Sequence, residues 1–378
     1  MNTMETVFLG LDIGNLNVDG VALRGQTTAL LSYGATTGGT PENTENDTGH
    51  VTRLVLNQPR QCSIGYTAVK ESPTGRVHDT SKQRYYGAAR DGDNIRPLSD
   101  YYASLADWGI GKAIADTSDG SEKETVPVIL TVTIPQNHYS LRLEKDLSVG
   151  LSGERTIGIE GQPPVKVNVT TYVKTQPYCA MVSQYGRVKD GSVEVRDSSW
   201  FESVCGVIDD GSETFHVARF EPQPNGEGGK EKVISCMKHN CTEGGMWSLV
   251  PRLEQLINNH PAGEILSLDA QQVMGVLETG GFNGVDFGVQ RQQVIDEKTP
   301  ELIADTRSVF GNAEDLKKIV LVGRGMNGIS QVFVDAFSTT AKHTGLQIAI
   351  SRDDNGNLNP GTAIADGAFK YSLLKGEV

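Results

Sequence analysis

Two stretches of this chain, 197 positions apart, repeat one another without a gap. Residues 5–22 read ETVFLGLDIGNLNVDGVA, and residues 202–219 read ESVCGVIDDGSETFHVAR. Glu5 aligns with Glu202, Val7 with Val204, Leu11 with Ile208, Asp12 with Asp209 and Gly14 with Gly211. Each copy reads as an apolar strand, an Asp-x-Gly turn, polar residues and a second strand. A repeat at half-chain spacing predicts two similar subdomains facing each other. Each carries a carboxylate and a glycine at the tip of a hairpin.

The triplet alone carries little. It begins at Asp12, Asp47, Asp107, Asp209, Asp286 and Asp354. Only the copies at 12 and 209 lie between two apolar strands. Favoured turn residues account for a lone triplet.

Between the two hairpins, strands alternate with helices. Leu98, Tyr101, Tyr102, Leu105 and Trp108 fall at helical spacing over 98–115. PVILTVTIP (127–135) is a β-branched run closed by Pro135, a buried strand ending in a turn. Residues 141–149 form another candidate helix, and PPVKVNVTTYVKT (163–175) alternates as a strand does. Met246, Leu249, Val250, Leu253, Leu256 and Ile257 fit one helix face, provided Pro251 lies in the first turn. Helix is expected on both sides of Pro300. KIVLVGRGMNG (318–328) reads as strand, glycine turn and helix start, QIAIS (347–351) as a short strand, and PGTAIADGAFKYSLL (360–374) as a closing helix. This alternation predicts an α/β fold with mixed sheets. The polar stretch 34–50 shows no periodicity.

The chemistry of the paired turns fits a nucleoside triphosphate. A tight glycine hairpin lets backbone N–H groups approach phosphate oxygens. A carboxylate at each turn suits Mg²⁺, which usually keeps several of its waters.

The motifs resemble the actin-like ATPases, and within them the ParM-type and related proteins of bacterial plasmids, phages and archaea. LGLDIGNLNVDGVAL resembles the family's first phosphate motif and GVIDDGSETFHVARF its second. IVLVGRGMN resembles the adenosine motif, and NPGTAIADGAFKY the closing connecting helix. ILTVTIPQNHYSLRLEKDLSVGL followed by TYVKTQPYCA resembles the first connecting segment. The resemblance spans essentially the whole chain. It implies an actin-like ATPase fold: two ribonuclease-H-like domains flanking a nucleotide cleft. Residues 1–175 with 360–378 form the first domain, and residues 176–359 the second.

The resemblance also implies roles. Asp12 and Asp209 organise Mg²⁺, chiefly through water. Gly14 and Asn15 in the first turn, and Gly211 and Ser212 in the second, hold phosphates, with Leu16, Asn17, Glu213 and Thr214 beside them in the nucleotide site. Glu243 and Gly244 join the nucleotide site, and Gly323, Arg324, Gly325, Met326 and Asn327 cradle the nucleoside. Gln176 stands where the family places the Gln or Glu that orients the attacking water. ATP is the expected ligand, with GTP open because Arg324 interrupts a run that is usually glycine. Asp210, Ser212 and His216 also depart from the family's pattern. The implied function is a filament of this chain with itself, moving plasmid or phage DNA through an adaptor protein or acting as a cytoskeletal element. The alternative is a phosphotransferase of the sugar-kinase branch, for which no base or substrate motif is found.

Composition narrows the partners. The net charge is −13, and a sequence-independent grip on nucleic acid needs clustered Lys and Arg. Direct DNA binding is therefore not expected. The cysteines at 62, 179, 205, 236 and 241 are odd in number and lack the spacing of a disulfide framework. No run approaches the ~20 apolar residues of a membrane span. A reducing cytoplasm fits these features. CMKHNC (236–241) reads as a polar turn with inert thiols rather than a zinc site. GIGKA (109–113) lacks the first glycine and the Ser or Thr of a P-loop. His50, His78 and His138 read as surface residues.

Overall fold

The computed structural model describes residues 6–14, 17–34, 49–55, 58–64, 100–118, 125–159, 162–223 and 233–376. Asn15, Leu16, Asp47, His78 and Leu98 lie outside the described residues, as do 35–48. The side chains of Asn17, His50 and Tyr101 do too. The chain divides into two compact units. The first is Met1–Glu194 with Ile364–Val378, and the second is Val195–Ala363.

In the first unit, β1 (Val7–Ile13), β2 (Asn17–Arg24) and β3 (Thr27–Gly34) form an antiparallel meander. The strands β4 (Gly49–Val55), β5 (Gln58–Ile64), β6 (Val126–Ile134), β7 (Gly153–Ile159) and β8 (Val165–Thr175) follow. The eight order as β3-β2-β1-β6-β8-β7-β4-β5. The strands β1, β6 and β8 run parallel, so their carboxyl ends share one edge of the sheet. The strands β1 and β6 are largely buried on both faces and correspondingly rich in Val, Ile and Leu, whereas β8 alternates, with Lys166, Asn168 and Thr170 exposed. The helix Asp100–Thr117 covers one face with Tyr102, Leu105, Trp108, Ile110 and Ile114. A small hairpin, β9 (Gly186–Lys189) with β10 (Ser192–Val195), follows the helix Gln176–Tyr185.

The C-terminal helix Ala363–Gly376 returns to this unit and lies against β1. A Cβ at Gly10 would fall 2.0 Å from the Phe369 nitrogen and 2.5 Å from the Ala365 carbonyl oxygen. Only glycine allows that approach. Phe369 and Leu373 then pack on Val21 and Leu23 of β2.

The second unit repeats the plan. Its strands are β11 (Cys205–Asp210), β12 (Phe215–Gln223), β13 (Val233–Thr242), the short pair β14 (Gly281–Phe282) and β15 (Val285–Asp286), β16 (Lys318–Val322) and β17 (Gln347–Ile350). The main sheet orders as β13-β12-β11-β16-β17, with β11, β16 and β17 parallel. That is the order β3-β2-β1-β6-β8 of the first unit. The hairpins share even their register: Phe8↔Leu23 and Asp12↔Asp19 correspond, at the 197-residue offset, to Cys205↔Phe220 and Asp209↔His216. The helix Gly288–Phe310 runs unbroken through Pro300 and packs Ile295, Leu302 and Phe310 into this unit's core. Pro251 is in the first turn of the helix Val250–Asn258.

One reading is corrected. Residues 236–241 sit within β13, where His239 and Cys241 pair with Ala218 and His216, and not in a turn. Burial pushes the thiols of Cys236 and Cys241 up to about 11. The helix Gln176–Tyr185 groups with the first unit, because it packs against the C-terminal helix that lies on β1. By contact the units meet at 194/195 and 363/364, a division of its own beside the expected domains 1–175 with 360–378 and 176–359. The sequence pattern also gives no sign of β3, β4, β5, β7, β9, β10, β14 or β15.

Candidate functional site

The first unit gathers three side chains at the carboxyl ends of its parallel strands. Asp12 is the penultimate residue of β1, Thr133 lies near the end of β6, and Gln176 follows β8 directly. Strand β8 passes into helix with no loop, and Pro177 fits that first turn because its missing N–H is not needed there. Thr133 Oγ1 donates to Asp12 Oδ1 at 2.6 Å, and Gln176 Nε2 donates to the same oxygen at 2.9 Å. The Tyr102 hydroxyl holds the Thr133 carbonyl at 3.0 Å. A carboxylate can only accept, so the Gln176 amide must turn its NH₂ toward Asp12. Its Oε1 then points away as an acceptor. Gly14 lies beside this set, two residues beyond Asp12.

The second unit gathers most of the remaining candidates. Asp209 and Asp210 are buried at the end of β11. The turn Gly211–Thr214 closes with a Gly211 N–H to Thr214 carbonyl bond of 3.0 Å. The segment after Glu243 and Gly244 clasps that turn. Gly245, Met246 and Trp247 donate their N–H groups to the carbonyls of Glu213, Gly211 and Ser212, at 3.2, 3.1 and 2.6 Å. A Cβ at Gly245 would lie 2.6 Å from both the Gly211 oxygen and the Thr214 nitrogen.

The turn after β16 packs on the same place. Gly323 has φ +93°, a conformation that favours glycine, and a Cβ there would meet the Asp210 carbonyl oxygen at 2.2 Å. Gly325 donates to that oxygen at 3.1 Å. Met326 and Asn327 then open the helix Met326–Ala336. Thus Asp209, Gly211 to Thr214, Gly244 and Gly323 to Asn327 form one contiguous set.

Burial, and then the neighbouring Asp209 carboxylate, hold the Asp210 carboxyl well above the usual range, while Lys298 pulls it down. A raised folded-state pKa makes stability greatest below the unfolded value of about 4 and loses it as pH climbs through the folded value. Asp210→Asn should therefore melt higher than wild type at neutral pH, with the gap closing toward about pH 4. Thermal melts of nucleotide-free, metal-free protein across that range check this. A constant gap would refute it.

Arg324 occupies the glycine turn. A Cβ at Gly361 would lie 3.0 Å from Arg324 Cγ, so the stem runs along Gly361. Burial raises the Glu278 carboxyl, and the Arg324 charge opposes that rise. Glu278 lies in no quoted motif, and nothing in the motifs that contain Gly361 and Thr133 marks either as a site residue. Each is found only by what it lies against. If Arg324 reaches the nucleotide, Arg324→Gly should weaken binding by about tenfold, the scale of one charge-assisted hydrogen bond. Titrating ATP and GTP against both proteins measures it, and identical constants refute the contact.

No protein-family model matches the sequence, and no curated protein matches it by sequence. Solved structures do match the fold. Bacillus thuringiensis ParM with ATP aligns over 99% of this chain and 100% of its own, with a TM-score of 0.63 and 13% identity. A 15-stranded ParM filament from Clostridium botulinum aligns over 98% and 99%, with a TM-score of 0.62 and 16% identity. An archaeal actin homologue aligns over 98% and 99%, with a TM-score of 0.62 and 14% identity. Identity this low carries the fold and not the activity. The chain has the actin-like fold.

Proposed function

We propose that this chain is a Mg²⁺-dependent nucleoside triphosphatase that assembles with copies of itself into filaments. The observation that carries the reading is the Asp12–Thr133–Gln176 set, beside a hairpin whose register recurs at Asp209. The turns at Gly14 and Gly211–Thr214 hold phosphates, and Gly323 to Asn327 hold the nucleoside. The donor set fits a hard cation, because Asp12 and Asp209 offer carboxylate oxygens beside glycine turns. When bound, Mg²⁺ neutralises charge on the phosphate oxygens. Gln176 supplies position rather than basicity. With its NH₂ held by Asp12, Oε1 accepts a hydrogen bond from the attacking water. The water oxygen bonds to the γ-phosphorus as the bond to the β–γ bridging oxygen breaks, giving nucleoside diphosphate and phosphate.

The relatives by fold include a filament and complexes with ATP, AMPPNP and ADP. ATP is the preferred candidate here, and GTP is the competitor. The acidic charge argues for a DNA-binding adaptor between the filament and any plasmid or phage cargo, in the cytoplasm. Among the described residues no helix is long and apolar enough to cross a membrane. Sedimentation with ATP, with GTP and without nucleotide, with phosphate release followed on the same sample, tests the reading. Nucleotide-dependent pelleting and phosphate release are expected. A protein that never sediments and passes phosphate to a small hydroxyl compound would instead be a kinase.

A further inference from the structure

Lys370 is fully buried in the C-terminal helix, an expensive place for an ammonium group. It lies at the far end of the helix that begins with Gln176. Lys370 Nζ donates to the Ser183 carbonyl at 3.1 Å. That oxygen belongs to the last turn of Gln176–Tyr185, where carbonyls lack an intrahelical donor and a cation is favoured. Lys370 also pairs with Asp366 at 2.8 Å, and Asp366 accepts from Ser183 Oγ at 2.5 Å. Two residues one turn apart thus grip one serine at two atoms. At the crossing, a Cβ at Gly367 would lie 1.7 Å from the Cys179 carbonyl oxygen. The two backbones touch.

The same C-terminal helix is fixed on its other side to β1. Phe369 and Ala365 close on Gly10, and Ser372 Oγ donates to the Leu9 carbonyl at 2.9 Å. Gly10 is two residues before Asp12. One helix therefore carries the references for both members of the Asp12–Gln176 contact. From Ser183 to Gln176 the helix is a rod of about 10 Å, so a shift or rotation at Ser183 is delivered to Gln176. An apolar contact tolerates sliding. A hydrogen-bonded ion pair admits one register.

We propose that Lys370, with Asp366 and Ser183, is a positioning group for hydrolysis, holding the Gln176 helix by its distal end so that Gln176 meets Asp12. The inference rests on the hydrolysis reading given above. The partners Lys370 holds, Ser183 and Asp366, are not among the candidate nucleotide-binding residues, so its loss should lower turnover and spare binding.

The test is a double-mutant cycle with full-length protein, measuring single-turnover phosphate release and nucleotide affinity. Lys370→Met should slow release about tenfold, the cost of a small misplacement, with affinity within about twofold. In a Gln176→Ala background the same change should cost nothing further, because the group it positions is gone. Lys370→Arg should recover part of the rate. Equal losses in both backgrounds, or affinity falling in step with rate, would show a merely structural role. If Lys370→Met fails to melt cooperatively, Ser183→Ala removes only the Oγ contact and runs through the same cycle with the same two outcomes. A wild type that releases no phosphate overturns the hydrolysis reading and this inference together. A wild type that does, with an additive cycle, overturns this inference alone.

Discussion

Gln176→Ala should slow phosphate release by about 10²-fold, the scale of a lost positioning contact, while nucleotide binding and assembly persist. The side chain is anchored on Asp12 through Nε2, so its remaining polar atom is an acceptor for water. Alanine removes that acceptor. It leaves the helix start intact, because Pro177 and the strand-to-helix junction do not depend on the amide. In the filament reading, the bound triphosphate favours the assembling state by its differential affinity, and hydrolysis withdraws that bias. Filaments of the variant should therefore outlast those of wild type after ATP is exhausted. Light scattering and phosphate release, recorded on one sample, give both quantities. Fast hydrolysis by the variant would remove Gln176 from the mechanism. Slow hydrolysis with normal disassembly would uncouple the two halves of the proposal.

The hairpins at Asp12 and Asp209 were legible because the sequence repeats them, and a repeat needs no knowledge of the fold. Gln176 was singled out by the resemblance, as the residue that follows this strand at the family's water-orienting position. Thr133 was not. Within VILTVTIP it looks like one more β-branched strand residue, and only the parallel register of β1 and β6 brings it to Asp12. The packing of the helix Gln176–Tyr185 within the first unit is hidden for a similar reason. Nothing local in residues 176–185 says that Gly367 will admit the C-terminal helix against Cys179. The segment 236–241 reads as polar, yet it is strand because β12 pairs with it, and pairing lies in the partner's sequence. Contacts between distant segments are what one sequence leaves out.

Asp107 begins the same Asp-x-Gly triplet as Asp12 and Asp209, and its replacement should have the opposite consequence. It lies in the helix Asp100–Thr117, fully buried. Arg155 of β7, 48 residues on, donates Nε to its Oδ1 at 2.8 Å and Nη1 to the Leu151 carbonyl, also at 2.8 Å. Leu151 ends the helix Leu141–Leu151, so one guanidinium ties two helices to the sheet. Asp107→Ala leaves that cation buried without this counter-charge. Breaking a buried pair by removing one partner costs about 3–5 kcal/mol, a large share of the roughly 5–15 kcal/mol that holds a typical domain. The urea midpoint should fall accordingly. The double change Asp107→Leu with Arg155→Met should recover most of the loss, because an apolar pair owes no desolvation. Asp209→Ala should do the reverse, with most phosphate release gone and the melt little changed. If Asp107→Ala melts like wild type, the pair is not what joins helix to sheet. If Asp209→Ala hydrolyses like wild type with unchanged Mg²⁺ dependence, the second hairpin is only a turn.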